Sequence, residues 1–203
     1  MPRRPDPTAR ERILDVAARL FNEHGVHAVG LQQIIDEGGC GKNLLYREFG
    51  SKDDLVVAYL EGCRADWDAT IERAEDAAPE DPAGQLVEIV AAVAEQSVAD
   101  GFRGCPLRNV FAEFPDPDHP AHQVIVEYYA GRQVQLRELA AAAGAADPDA
   151  LGDRIALVVD GLNANGPVLG RDGAVASALG FAEEIVAGAT RRRRATAPSR
   201  RRR

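Results

Sequence analysis

Residues 31–55 read LQQIIDEGGCGKNLLYREFGSKDDL, and their spacing decides the fold. Leu31, Ile34 and Ile35 recur at helical intervals over two turns, and Gly38-Gly39 then breaks the pattern. A second short helix follows at 41–47 and ends near Phe49. Ser51, with Asp54 three residues on, is the signature of a further helix start. Two short helices joined by a glycine turn have the geometry in which the second enters the major groove of DNA while the first braces it. Cys40 stands at the turn, where a small apolar residue packs between the two.

Working outward, residues 1–9 hold three prolines and two arginines and read as a loose arm. From Thr8 the chain becomes helical, with Ile13, Leu14, Ala17, Ala18, Leu20 and Phe21 on one stripe. Thr8 with Glu11 reads as a capping box, and Gly25 stops the helix. Leu20, Phe21, Ile34, Leu45 and Phe49 then form the core of a three-helix head over 10–54. Lys42, Asn43, Leu44, Tyr46 and Arg47 are left facing outward. Lysine pairs with phosphate or guanine, asparagine bridges adenine edges, and a leucine touches a thymine methyl. Lys52 opens the fourth helix, whose positive N-terminal dipole favours a phosphate.

The rest, 55–190, reads as a helical body. The fourth helix runs to about Ala77, and Pro79 and Pro82 mark the next boundary. Helices follow at 83–100, 106–113, 121–143, 148 to about Asn165, and 172–189, for about nine in all. No strand pattern and no internal repeat is present, so the fold class is all-α. Residues 191–203 form an arginine-rich tail of the composition that stays disordered.

Net charge is −8, but it is unevenly placed. Residues 1–54 carry 8 basic and 9 acidic groups, 55–190 carry 8 and 23, and 191–203 carry 8 arginines. The acidity belongs to the body, so the near-neutral head remains compatible with a nucleic-acid partner. The start lacks an apolar signal core and no stretch is long enough to span a bilayer, which sets the expectation of a cytoplasmic protein without membrane association. Cys40, Cys63 and Cys105 are odd in number and widely spaced, forming neither a disulfide framework nor a zinc pattern. His119 and His122 are separated by Pro120 and have no evident third partner, so no metal is expected. Gly161–Gly166 lacks the spacing of a nucleotide loop. No nucleophile elbow or paired-carboxylate motif is found, so neither a cofactor nor an enzymatic activity is expected.

Residues 10–60 resemble the DNA-binding head of the TetR family of bacterial regulators. The resemblance rests on Ile13-Leu14-Asp15-Val16-Ala17, Leu20-Phe21 with His24-Gly25, Leu31-Gln32-Gln33-Ile34-Ile35, Gly39-Cys40-Gly41-Lys42, and Leu45-Tyr46 through Phe49 to Lys52 and Leu55. It implies an all-helical homodimer whose heads read the halves of a palindromic operator. By position, Gln32, Lys42, Asn43 and Leu44 match base-reading places, and Tyr46 and Lys52 match phosphate-contacting ones. The chain departs from the pattern at Gly30 and Gly41, where hydroxyl caps are usual, and at Glu48, where an acid would repel phosphate.

The resemblance further implies a small-molecule cavity among helices 5 to 8. Its candidate lining is Trp67, Phe102, Cys105, Phe111, Phe114, Tyr128 and Tyr129, each of which also reads as plain core. Cys105 before Pro106 stands at a helix N-terminus, as a thiol sensor or as a small packing residue. The last two helices are expected to pair across a two-fold axis through Leu157, Val158, Gly161, Leu162, Leu179, Phe181, Ile185 and Val186. The expected function is a repressor released from its operator by a ligand. The alternative is a helical small-molecule-binding or thiol-sensing protein without specific operator recognition.

Overall fold

The structure, a computed structural model, describes residues 8–195, with side chains through Thr190. The described residues form nine α-helices: α1 (Ala9–His24), α2 (Leu31–Glu37), α3 (Lys42–Phe49), α4 (Lys52–Ala77), α5 (Pro82–Ser97), α6 (Pro106–Glu113), α7 (Pro120–Ala142), α8 (Pro148–Leu169) and α9 (Ala174–Ala195). A single 3₁₀ turn, Gly170–Asp172, precedes α9. The loose arm and most of the arginine tail expected from composition fall on residues 1–7 and 196–203, outside the described residues. Among the described residues no helix is long and apolar enough to cross a membrane.

Two compact units divide the chain. The first comprises residues up to Ala65 together with Pro106–Glu127, and the second comprises Asp66–Cys105 with the chain from Tyr128 onward.

In the first unit α1, α2 and α3 pack pairwise. Their meeting faces bury Ile13, Leu20, Phe21, Ile34, Leu45 and Phe49, as the spacing predicts. Each such side chain contributes about 1.5–3 kcal/mol by leaving water. Cys40 is buried in the turn, and that burial pushes its thiol pKa up. The expected cap of α4 is present: Ser51 Oγ accepts from the Asp54 backbone N–H at 3.0 Å and donates to its carboxylate at 2.7 Å. The expected cap of α1 is not; Thr8 makes no side-chain capping bond, and α1 starts with its backbone alone.

In the second unit α5, α8 and α9 pack against one another. Asp81 and Asp147 each accept from a first-turn N–H, with proline at the first helical position. Close packing of α8 on α5 depends on Gly166, where an added Cβ would stand 2.5 Å from Ser97. That contact explains a difference from the sequence expectation. Pro167 should end α8 near Asn165, because it lacks an N–H and crowds the preceding turn. The helix instead continues to Leu169, with Gly166 pressed onto α5 and Asn165 Nδ2 donating to the Gly161 carbonyl at 2.8 Å. Tertiary packing overrides the local breaker.

Candidate nucleic-acid interface and sensor core

The recognition face begins with the caps of α2 and α3. Gly30 and Gly41 adopt extended backbone before these helices and offer no side chain to the first-turn N–H groups. Those donors remain available to an outside acceptor such as a phosphate oxygen. On α3, Lys42, Asn43, Tyr46 and Arg47 are exposed, while Leu44 is half-buried. Tyr46 is 41% exposed, a large aromatic held in solvent, and the Lys42 ammonium lies 5.8 Å from its ring centre. On α2, Gln32 is exposed and its amide donates to Asp36 at 2.8 Å.

Two expected phosphate-side residues behave differently. Arg47 is tied to Glu48, its Nη2 and Nε donating to the same carboxylate oxygen at 2.8 and 3.1 Å. The acid at position 48 therefore neutralises its neighbour before it repels any phosphate. Lys52 does not project freely. It is half-buried, and its ammonium donates to the Val26 carbonyl at 2.7 Å. Burial lowers its pKa, partly opposed by the charges of Glu113 and Asp53.

That Val26 turn has a second clamp that sequence reasoning missed. Glu113, at the end of α6, accepts from the backbone N–H of Val26 at 2.9 Å and of His27 at 2.7 Å. The turn between α1 and α2 is thus gripped from both sides, by a carboxylate on its donors and an ammonium on its acceptor. Around it, Phe114 stacks between His27 and His119 with ring centres 4.8 and 4.5 Å away. Phe111 is 43% exposed and lies against His122. Phe111 and Phe114, expected in a ligand cavity, therefore belong to the first unit's histidine cluster.

In the second unit the other candidates do converge, on a residue not foreseen. Arg132 of α7 is 4% exposed. Its guanidinium lies 4.7 Å from the Tyr129 ring centre, 5.8 Å from Trp67 and 6.0 Å from Tyr128. Nη2 donates to Asp160 of α8 at 2.9 Å, while the buried Nε has no hydrogen-bond partner. Burial alone would lower the arginine's pKa, but Asp160 and the tyrosines outweigh it and the net shift is upward. Burial, then the neighbouring Cys105, pushes both tyrosine hydroxyls well above the ordinary phenol range. Cys105 is itself buried, its Sγ 3.7 Å from Tyr129 Oη. Trp67 Nε1 donates to Gln135 at 2.8 Å. Phe102 is half-buried in the turn after α5.

A signal for Arg132 was in the sequence. Ala121, Ile125, Tyr128, Arg132, Leu136 and Ala140 follow one another at spacings of three and four on α7, and all are buried. A lone arginine in an apolar stripe is a buried charge that needs a reason.

The expected pairing face divides in two. Leu162 and Val186 are buried within the unit, whereas Leu157, Leu179 and Phe181 are 70%, 41% and 51% exposed. A groove of about 490 Å³ runs along this face between α8 and α9, lined by Leu157, Gly161, Leu162, Ala178 and Phe181.

The family model described as bacterial regulatory proteins, tetR family, matches residues 13–59. A TetR-family transcriptional regulator from Streptomyces coelicolor superposes with a TM-score of 0.84 at 31% identity, covering 90% of this chain and 96% of that one. The chain belongs to the TetR family of transcriptional regulators. Curated TetR-type relatives match mainly through the head. An uncharacterised HTH-type transcriptional regulator of Mycobacterium tuberculosis is 40% identical over 52 residues, 26% of either chain. The HTH-type transcriptional regulator AcrR of Shigella flexneri is 30% identical over 102 residues, 50% of this chain and 47% of its own. The matched stretch thus spans about a quarter of the length of the first of these relatives and half of the second.

Proposed function

We propose that this TetR-family chain is a dimeric repressor that binds a palindromic DNA operator through α3 and is released by a small molecule held in the second unit. The observation carrying this reading is the exposed face of α3, where Lys42, Asn43 and Tyr46 stand together in solvent above a fully packed core. A protein with no use for that face gains nothing from displaying a 41%-exposed tyrosine beside a lysine and an asparagine. These are groups that contact phosphates and base edges.

The apolar groove on α8 and α9 supports pairing of two copies. Leu157 and Phe181 leave much of their side chains in water there, a loss that a two-fold contact recovers. Ligand release requires that the effector bind the operator-competent and released states unequally. α4 provides a connection, since Lys52–Ala65 belongs to the first unit and Asp66–Ala77 to the second.

The test is selection of binding sites from random duplex DNA with the full chain, followed by titration of the enriched sequence. Wild type is expected to enrich a palindrome, with Lys42→Ala and Tyr46→Ala each weakening it. Failure to enrich any sequence at moderate salt refutes operator recognition.

A further inference from the structure

Arg132 carries more than the proposed function uses. Its charge is buried to 4% exposure, it has one carboxylate partner, and its Nε–H points at no acceptor. A buried donor to which nothing bonds is costly, more so on a charged group, and native proteins rarely retain one without a use. Guanidinium is a planar fork suited to a carboxylate, and three aromatic rings line its faces.

Beside this cluster lies room for the rest of a molecule. A groove of about 350 Å³ between α4, α5 and α7 is lined by Ile71, Ala74, Ile89, Gln135 and Leu139. Ile71 lies one turn beyond Trp67 on α4, and Gln135 is the acceptor of the Trp67 indole N–H. The groove and the guanidinium are therefore separated by the Trp67–Gln135 pair. Its volume falls within the range of small-molecule sites, roughly 300–1,000 Å³.

We infer that the second unit binds a small organic carboxylate, with its anionic end on the free Nε edge of Arg132 and its flat apolar body beside Trp67 in the groove. Asp160 holds the neighbouring Nη2 and keeps the guanidinium oriented while the site is empty of ligand. An uncharged analogue of the same shape leaves the Nε–H unpaired and gains only the apolar contact. This inference rests on the reading of the second unit as the sensor, and it names the chemical class sensed.

Trp67 is the only tryptophan in the chain, so its fluorescence reports the site directly. The experiment titrates the full chain with benzoate, phenylacetate and 1-naphthoate, each beside its amide, and with acetate as an anion lacking a ring. At least one aromatic carboxylate is expected to saturate the Trp67 signal and to bind roughly tenfold or more tightly than its amide and than acetate. Arg132→Lys keeps the charge but loses the planar fork, and should remove most of that preference. Arg132→Met should remove all of it, with circular dichroism checking that the helices persist. Asp160→Asn should preserve carboxylate binding. No saturable carboxylate signal in the wild type overturns the inference, as does equal affinity for acid and amide or an undiminished preference in folded Arg132→Lys. Operator titration is run separately. Carboxylate binding without operator binding would leave this site standing and sink the repressor reading; operator binding without carboxylate binding would do the reverse.

Discussion

Removing Glu113 should loosen the turn on which the recognition unit is mounted. Its carboxylate accepts two backbone N–H bonds, from Val26 at 2.9 Å and His27 at 2.7 Å, with its side chain 23% exposed. Hydrogen bonds to a charged acceptor contribute about 1.5–3 kcal/mol each. Partial exposure lets water replace part of both bonds once the side chain is gone, so the low end applies. Glu113→Ala should therefore cost about 2–4 kcal/mol of unfolding free energy in a urea titration. Glu113→Gln retains one acceptor oxygen but turns an amide toward the other donor, and should lose about half as much or more. Lys52 grips the carbonyl of the same turn, so Lys52→Met and Glu113→Ala should be non-additive by about 0.5 kcal/mol or more in a double-mutant cycle. Operator affinity should fall with Glu113→Ala although the residue is not on α3. A change below about 0.5 kcal/mol, the range of an ordinary surface substitution, would refute the clamp.

Other consequences follow from the same geometry. Lys42→Ala should lower the dependence of log affinity on log salt by about one, as loss of one phosphate contact does, while leaving site preference intact. Gly166→Ala places a Cβ 2.5 Å from Ser97 and should destabilise by about 1–3 kcal/mol in spite of alanine's helix preference, measured by denaturant midpoint. Gly131→Ala, on α7 with nothing within 4 Å, should instead stabilise by about 0.5–1 kcal/mol. Arg137 and Gln133 bond the Asp153 carboxylate and hold its pKa below the ordinary value. That group therefore stabilises the fold above the ordinary aspartate pKa of about 4, and its contribution is lost as pH falls through the lowered value. The melting-temperature gap between wild type and Asp153→Asn should be present at neutral pH and shrink in acid; a gap that grows in acid would contradict the assignment.

The head was legible because its signals are local. Glycines at 25 and 38–39, the Ser51–Asp54 box and the spacing of Leu20, Ile34, Leu45 and Phe49 each specify structure within a few residues, and each does so in the fold. What the sequence hid depends on partners far along the chain. Glu113 meets the Val26 turn from 87 residues away, and Lys52, which reads as a phosphate ligand at a helix start, is drawn to the same turn. Phe111 and Phe114 read like any aromatic of the body, yet histidines of the first unit surround them. Arg132 could have been found, since a helical count along α7 places it in the buried phase. Its partner Asp160, 28 residues away on α8, could not.

The central claim is that the exposed face of α3 reads DNA sequence. The most direct measurement is the ratio of affinities for the selected palindrome and for a scrambled duplex of equal length, at one fixed salt concentration, in wild type and in an Asn43→Ala, Tyr46→Ala double variant. Wild type should prefer the palindrome by about 10³ or more, and the double variant should approach the scrambled affinity while remaining folded. Equal binding of both duplexes by the wild type, or an undiminished ratio in the double variant, would contradict the account.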